Sequence, residues 1–124
     1  MSKEIELAWA AGLFDGEGSI NGGIRTCKTS KLGFCTHQKM SVGQNDREVL
    51  DRFLAAVENG FIYGPYVYKT NGNEYYQWQC SDRQNIIKIY ELLWSNLGTR
   101  KKEQAKRVLP ELNDYGPNIN ENNS

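Results

Sequence analysis

Trp9–Ile20 reads WAAGLFDGEGSI. An apolar run here carries three glycines, Gly12, Gly16 and Gly18, and two carboxylates, Asp15 and Glu17. Glycine inside a helix costs about 1 kcal/mol relative to alanine, so the cluster needs a reason beyond forming the helix. Ile5, Ala8, Trp9, Gly12, Leu13 and Gly16 recur at helical spacing and predict a helix over residues 4–16. Gly12 and Gly16 stand four apart and share a face, with Trp9 close by. With both side chains missing, a second helix can approach backbone to backbone. The alternative is a helix that Gly16-x-Gly18 merely ends.

A length of 124 residues suits one domain with one modest core. Hydrophobic residues at 39% and charged residues at 24% are ordinary for a soluble chain. No apolar run approaches the roughly 20 residues that span a bilayer, and no charged-then-apolar leader opens the sequence. The expectation is an intracellular protein, neither secreted nor membrane-bound. Cys27, Cys35 and Cys80 lack any CxxC spacing and His37 is the sole histidine, which argues against zinc and for reduced thiols.

Formal net charge is zero, but the charges are unevenly placed. Ser19–Gly43 holds Arg25, Lys28, Lys31 and Lys39 without an acid. Thr99–Val108 holds Arg100, Lys101, Lys102, Lys106 and Arg107 against Glu103 alone. Such local basic surfaces are compatible with a polyanion partner.

Ser19–Cys27 and Phe34–Gln44 alternate and predict two strands of a long hairpin around a polar turn at Lys28–Gly33. Asn45-Asp46 caps a second helix, DREVLDRFLAAVE, which Asn59-Gly60 ends. Phe61–Lys69 and Glu74–Ser81 are aromatic-rich and flank Asn71-Gly72, a type I′ turn signal. Ser81-Asp82 caps a third helix reaching Trp94, and after a break near Gly98 a basic segment to Leu109 makes a fourth. The predicted class is α+β, in the order α-ββ-α-ββ-α-α, as one domain over 1–109. Residues 110–124 are Asn-rich and are expected to be a disordered tail.

Ala10–Gly18, AAGLFDGEG, resembles the LAGLIDADG signature of homing endonucleases, and the element order that follows is that family's. Ala11, Gly12, Leu13, Asp15 and Gly18 are identical to the signature, and Glu17 keeps a carboxylate at its second acidic position. The resemblance covers about residues 4–109 and implies a four-stranded antiparallel saddle sheet laid along a DNA major groove. One copy of the motif implies a homodimer, with Gly12, Gly16 and the nearby Trp9 at the helix–helix interface. The axis would then bring the two Glu17 carboxylates together around Mg²⁺, whose hard charge suits oxygen ligands. A solvated acid is the alternative for Glu17, disfavoured because a helix C-terminus is already partly negative. Asp15 is expected to be structural, hydrogen-bonding near the motif's turn.

The implied activity is metal-dependent cleavage of double-stranded DNA at a long pseudo-palindromic site, the chemistry of intron homing. The family pattern puts a polar residue at the end of the second strand, matched by Gln44, to orient water. It also puts a lysine near the start of the closing helix, best matched by Lys101, to stabilise phosphate charge. A strand-end cap and a solvated basic helix are the alternatives for these two.

The strand face opposite the apolar alternation is expected to meet the bases. It carries Ser19, Asn21, Arg25, His37, Lys39 and Ser41, with Lys28 and Lys31 from the turn. Tyr66, Tyr68, Tyr75, Gln77 and Gln79 extend it on the second hairpin, where Tyr76, Trp78 and Cys80 look inward. Arginine suits guanine, asparagine suits adenine, and lysines more often meet phosphates. A strand of about nine residues at roughly 3.3 Å each spans some nine base pairs, so two subunits cover on the order of 18–20. A half-solvated sheet without a ligand would alternate in the same way. The rival functions are a LAGLIDADG-like RNA maturase, a DNA-binding protein without cleavage, and a module that binds no nucleic acid.

Overall fold

A computed structural model of the chain describes residues 2–26, 31, 33–110 and 112, with backbone only at 24–26 and 34–36. Local chemistry starts three of the four helices. The Ser2 hydroxyl accepts the Ile5 N–H at 3.2 Å to open α1 (Lys3–Glu17). Asp46 accepts the Glu48 N–H at 2.9 Å ahead of α2 (Arg47–Val57). Asp82 accepts the Asn85 N–H at 3.0 Å ahead of α3 (Arg83–Leu93), which continues into a 3₁₀ turn at Trp94–Asn96. Each such side chain replaces a backbone partner that the first turn lacks. The closing helix, α4 (Thr99–Val108), starts on Gly98 and has no cap from its own segment.

Between the helices run β1 (Gly18–Thr26), β2 (Phe34–Gln44), β3 (Phe61–Val67) and β4 (Glu74–Cys80). They form one antiparallel sheet in the order β1-β2-β4-β3, so the two hairpins join through β2 and β4. Gly18 faces Val42 and Ile20 faces Met40 across the first hairpin, while Val42 faces Trp78 and Met40 faces Cys80 across the join. Strand side chains alternate between faces, so these residues share one face, and all of them are buried. That face receives Phe14 from α1, Leu50 and Phe53 from α2, and Ile86, Ile89, Tyr90 and Leu93 from α3. Phe53 meets Trp78 edge-on at 4.8 Å between centroids, and Phe14 meets Tyr90 at 5.8 Å. Full burial of such side chains contributes about 1.5–3 kcal/mol each. Among the described residues the other face of the sheet carries no helix.

Trp78 Nε1 donates to the Asn59 carbonyl at 2.8 Å. A Cβ on Gly60 would lie 2.7 Å from Trp78 Cε2, so this approach requires glycine there, at φ 95°. At the sheet's other edge a Cβ on Gly22 would lie 2.7 Å from Val108 Cγ1, and this contact seats α4 against β1.

Three local expectations change. α2 ends with Glu58, not Asn59-Gly60, in the left-handed region at φ 58°, its N–H bonded to Leu54. The second hairpin has no two-residue type I′ turn. The loop spans residues 68–73, Tyr68 and Asn73 bonding at 2.9 Å. A type I′ turn needs positive φ at both central residues, and of Asn71 and Gly72 only Gly72 has it. The Asn71 carboxamide instead accepts the Asn73 N–H at 2.8 Å. β3 is also broken by a register shift between Tyr63 and Tyr66, where Gly64 adopts φ 124°. Beyond α4, Leu112 is fully buried and its N–H bonds to Leu109; residues 111 and 113–124 lie outside the described residues.

Candidate functional site

Glu17 is the last residue of α1 and is exposed, and among the described residues it has no ion-pair partner. The helix C-terminus disfavours a carboxylate by its own partial charge. Gly18 follows and turns directly into β1. A side chain there would overlap the Phe14 ring, since a Cβ would lie 2.7 Å from Phe14 Cγ.

Two contacts from α4 converge on this junction. Lys101 Nζ donates to the Gly18 carbonyl at 2.6 Å and lies 5.7 Å from the centroid of the Phe14 ring. Both oxygens of Asp15 accept the Gly98 N–H at 3.1 Å, so α1 supplies the cap that α4 lacks. Gly98 permits the approach, because a Cβ there would come within 3.2 Å of Asp15 Oδ2. The expected structural role of Asp15 thus takes the form of a long-range helix cap, and Lys101 stands in the first turn that it supports.

Gln44 ends β2, two residues past the Val42 that faces Gly18. It therefore lies at the same end of the sheet as Glu17, half-buried, and among the described residues no hydrogen bond joins it to Glu17 or Lys101. Beside it Asn45 Nδ2 donates to the Glu74 carbonyl at 2.9 Å, holding the two hairpins together at that end.

Within α1, Ala10, Ala11 and Phe14 face the core, whereas Ile5, Ala8, Gly12 and Gly16 form an exposed stripe. A Cβ at Gly12 or Gly16 would meet nothing within 4 Å, and neither residue has positive φ. Trp9 is engaged within the chain. Its ring lies 4.0 Å from the Arg52 guanidinium, which also makes a two-pronged bond to Glu6 at 2.8 and 2.9 Å.

On the open face the register lines up the expected nucleic-acid residues. Ser19 opposes Ser41, their hydroxyls 3.2 Å apart, Asn21 opposes Lys39, and His37 opposes Gly23. Ser41 continues to Gln79, and Gln77 lies beside Gly43. Tyr75 opposes Tyr66 and stacks on Tyr68 with centroids 4.3 Å apart. Lys31 is exposed in the turn of the first hairpin, while Lys28 and the side chain of Arg25 lie outside the described residues.

Sequence alternation misses two groups. Phe61 and Tyr63 oppose Gln79 and Gln77 and so join the open face. Counting back from Tyr66 by twos puts them on the other side, and the bulge at Gly64-Pro65 switches the parity. Gln104 and Arg107 line a groove with Ser19, Asn21, Gly22 and Lys101 between α4 and β1. Their three-residue spacing from Lys101 on a helix whose Ala105 is buried was the available signal.

A single-motif α+β domain, with helices packed on one face of its four-stranded sheet and a lysine anchored on the backbone just past the exposed acid that ends its first helix, is a LAGLIDADG-type fold. The LAGLIDADG endonuclease family model matches residues 10–109, and the chain belongs to that family. Among solved structures it is similar to the homing endonuclease I-CvuI in complex with DNA, with TM-score 0.68 and 21% identity over 87% of this chain and 66% of that one. The group I intron-encoded homing endonuclease I-CeuI, complexed with DNA, gives TM-score 0.64 and 24% identity over 89% and 56%. The homing endonuclease I-TnaI gives 0.61 and 22% over 81% and 65%. The chain thus spans 56–66% of the length of these three relatives. A search of curated proteins finds no match. Among the described residues no helix is long and apolar enough to cross a membrane.

Proposed function

We infer that this protein is a homing endonuclease that cleaves double-stranded DNA at a long pseudo-palindromic site as a homodimer, inside the cell. One observation carries the reading: nothing among the described residues of the chain requires glycine at Gly12 or Gly16. Their surroundings are open and their backbone is ordinary helix, yet each weakens α1 by about 1 kcal/mol relative to alanine. A second α1, packed against the stripe that also carries Ile5 and Ala8, supplies the missing reason.

The donor set fits Mg²⁺ only across such an interface. Among the described residues no group of three or more His, Cys, Asp or Glu side chains could hold a metal. Glu17 offers a hard, exposed carboxylate with no ion-pair partner among the described residues. Mg²⁺ is commonly bound through one or two carboxylates with water completing its shell, a set that two Glu17 side chains match. Such a cation supplies charge neutralisation at the attacking and leaving oxygens of a phosphodiester. Lys101, anchored on Gly18, stabilises negative charge growing on the phosphate, and Gln44 orients the attacking water. The open face of the sheet binds the major groove through Ser19, Asn21, Arg25, His37, Lys39 and Ser41, with Lys28 and Lys31 at phosphates.

The deciding experiment is selection of cleaved sites from a random duplex library, with and without Mg²⁺. A symmetric site cleaved only with Mg²⁺ supports the reading. Binding without cleavage returns a non-cleaving factor, and retention of structured RNA alone returns a maturase.

A further inference from the structure

The two hairpins offer different chemistry on the same open face. The first is basic, with Lys31, His37 and Lys39 exposed on it. The second presents Tyr63, Tyr66, Tyr68, Tyr75, Gln77 and Gln79, with no Arg or Lys within β3 or β4. Tyr63, Tyr66 and Tyr68 are 40–44% exposed, a large apolar surface to leave in water.

The arrangement of these groups narrows the ligand. Tyr75 has Tyr68 stacked on it at 4.3 Å and Tyr66 tilted against it at 5.3 Å. Tyr75 and Tyr68 thus cover one face of each other's rings, and with Tyr66 tilted against them the cluster presents edges as well as faces, a shape suited to contacts in a groove. Gln79 Nε2 donates to Gln77 Oε1 at 2.7 Å. That bond fixes both amides and leaves Gln79 with one free N–H beside its carbonyl oxygen. One donor and one acceptor on a single amide match the N7 and N6 of adenine, and an apolar edge matches the thymine methyl. Guanine, read by arginine or lysine, has no counterpart within β3 or β4, and the hairpin's lysine, Lys69, stands in the exposed loop beyond them.

We propose that the second hairpin selects A·T base pairs in the segment of each half-site nearest the scissile phosphates. The inference rests on the endonuclease reading above. Its position follows from the register: Gln44 faces Tyr76, so Tyr75 lies at the end of the sheet where Gln44 and Glu17 stand. The first hairpin, running away from that end, takes the outer base pairs.

Selection of bound and of cleaved duplexes by the full chain tests this, followed by replacing the innermost thymines of the selected site with deoxyuridine. Deoxyuridine keeps pairing and deletes only the methyl. The expected result is A·T enrichment beside the cleavage point and an affinity loss of about fourfold per buried methyl. In the Tyr66→Ser/Tyr68→Ser variant the same replacement has no effect, and Gln79→Ala relaxes selection for adenine. A selected, cleaved duplex with G·C or no preference at those positions, or one indifferent to deoxyuridine, overturns this proposal and leaves the endonuclease reading standing. Retention of single strands only, or of no duplex, overturns both.

Discussion

Lys101 Nζ donates to the Gly18 carbonyl at 2.6 Å across 83 residues of chain. The cation of the closing helix is thereby fixed to the backbone immediately after the acid of α1. A lysine bonded to a carbonyl is held in place without being neutralised, as it would be by a carboxylate. Its charge remains available at the mouth of the groove it shares with Gln104 and Arg107.

That placement predicts separable defects. Lys101→Met lowers the cleavage rate about 10²–10³-fold, the range for removal of one preorganised charge-stabilising donor, with DNA retention preserved. Glu17→Gln keeps binding and abolishes Mg²⁺-dependent nicking. Plasmid nicking alongside gel retardation reads both, and cleavage by Glu17→Gln would remove this acid from the mechanism.

The open surroundings of Gly12 and Gly16 make the interface testable without harming the fold. A Cβ at Gly12 or Gly16 meets nothing within 4 Å among the described residues, so Gly12→Leu and Gly16→Leu are expected to fold as stable monomers, where the parent chain is expected to sediment as a dimer. Variants that remain dimeric would contradict helix-to-helix packing through these glycines.

Asp15 should matter through α4. Removing its carboxylate in Asp15→Ala costs about 0.5–2 kcal/mol, as loss of a helix cap does. The expected signs are a melting midpoint lower by a few degrees and slower cleavage as Lys101 loses its support. Asp15→Asn, whose amide oxygen still accepts the Gly98 N–H, recovers part of both. Equal melting of parent and alanine variant would show that the cap is unimportant.

Acid should loosen the α1–α2 pairing. The hydrogen bond from Arg52 holds the Glu6 carboxyl below its ordinary 4.5, and the bond from Lys3 does the same to Glu58. A carboxyl lowered in the folded state contributes stability that is complete above its unfolded value and is lost as pH falls through its folded value. The melting difference between the parent and Glu6→Gln is therefore largest near neutrality and closes below the ordinary value of 4.5. A difference independent of pH would assign the stabilisation to packing of Trp9 under Arg52 instead.

Legibility followed range of interaction. Asp46 and Asp82 cap their helices by reaching two and three residues ahead, so both starts could be read from spacing. The alternation that buries Val42 and Trp78 also assigned Tyr75, Gln77 and Gln79 to the opposite face, because strand periodicity is a property of the backbone. Asn71-Gly72 misled, since a side chain bonding to Asn73 competed with the turn that the pair usually forms. Phe61 and Tyr63 stayed hidden behind a bulge that a run of aromatic residues does not announce.

By itself, then, the sequence determined the helix and strand periods, the N-caps of α2 and α3, and the nine-residue motif with the acid at its last position but one. Folding in three dimensions decided what gathers around the end of that motif: Asp15 capping α4, Val108 settling on Gly22, and Lys101 reaching Gly18. Periodicity and capping act over a few residues, where spacing is visible. Contacts between segments eighty residues apart depend on how whole elements pack, and local spacing carries no record of that.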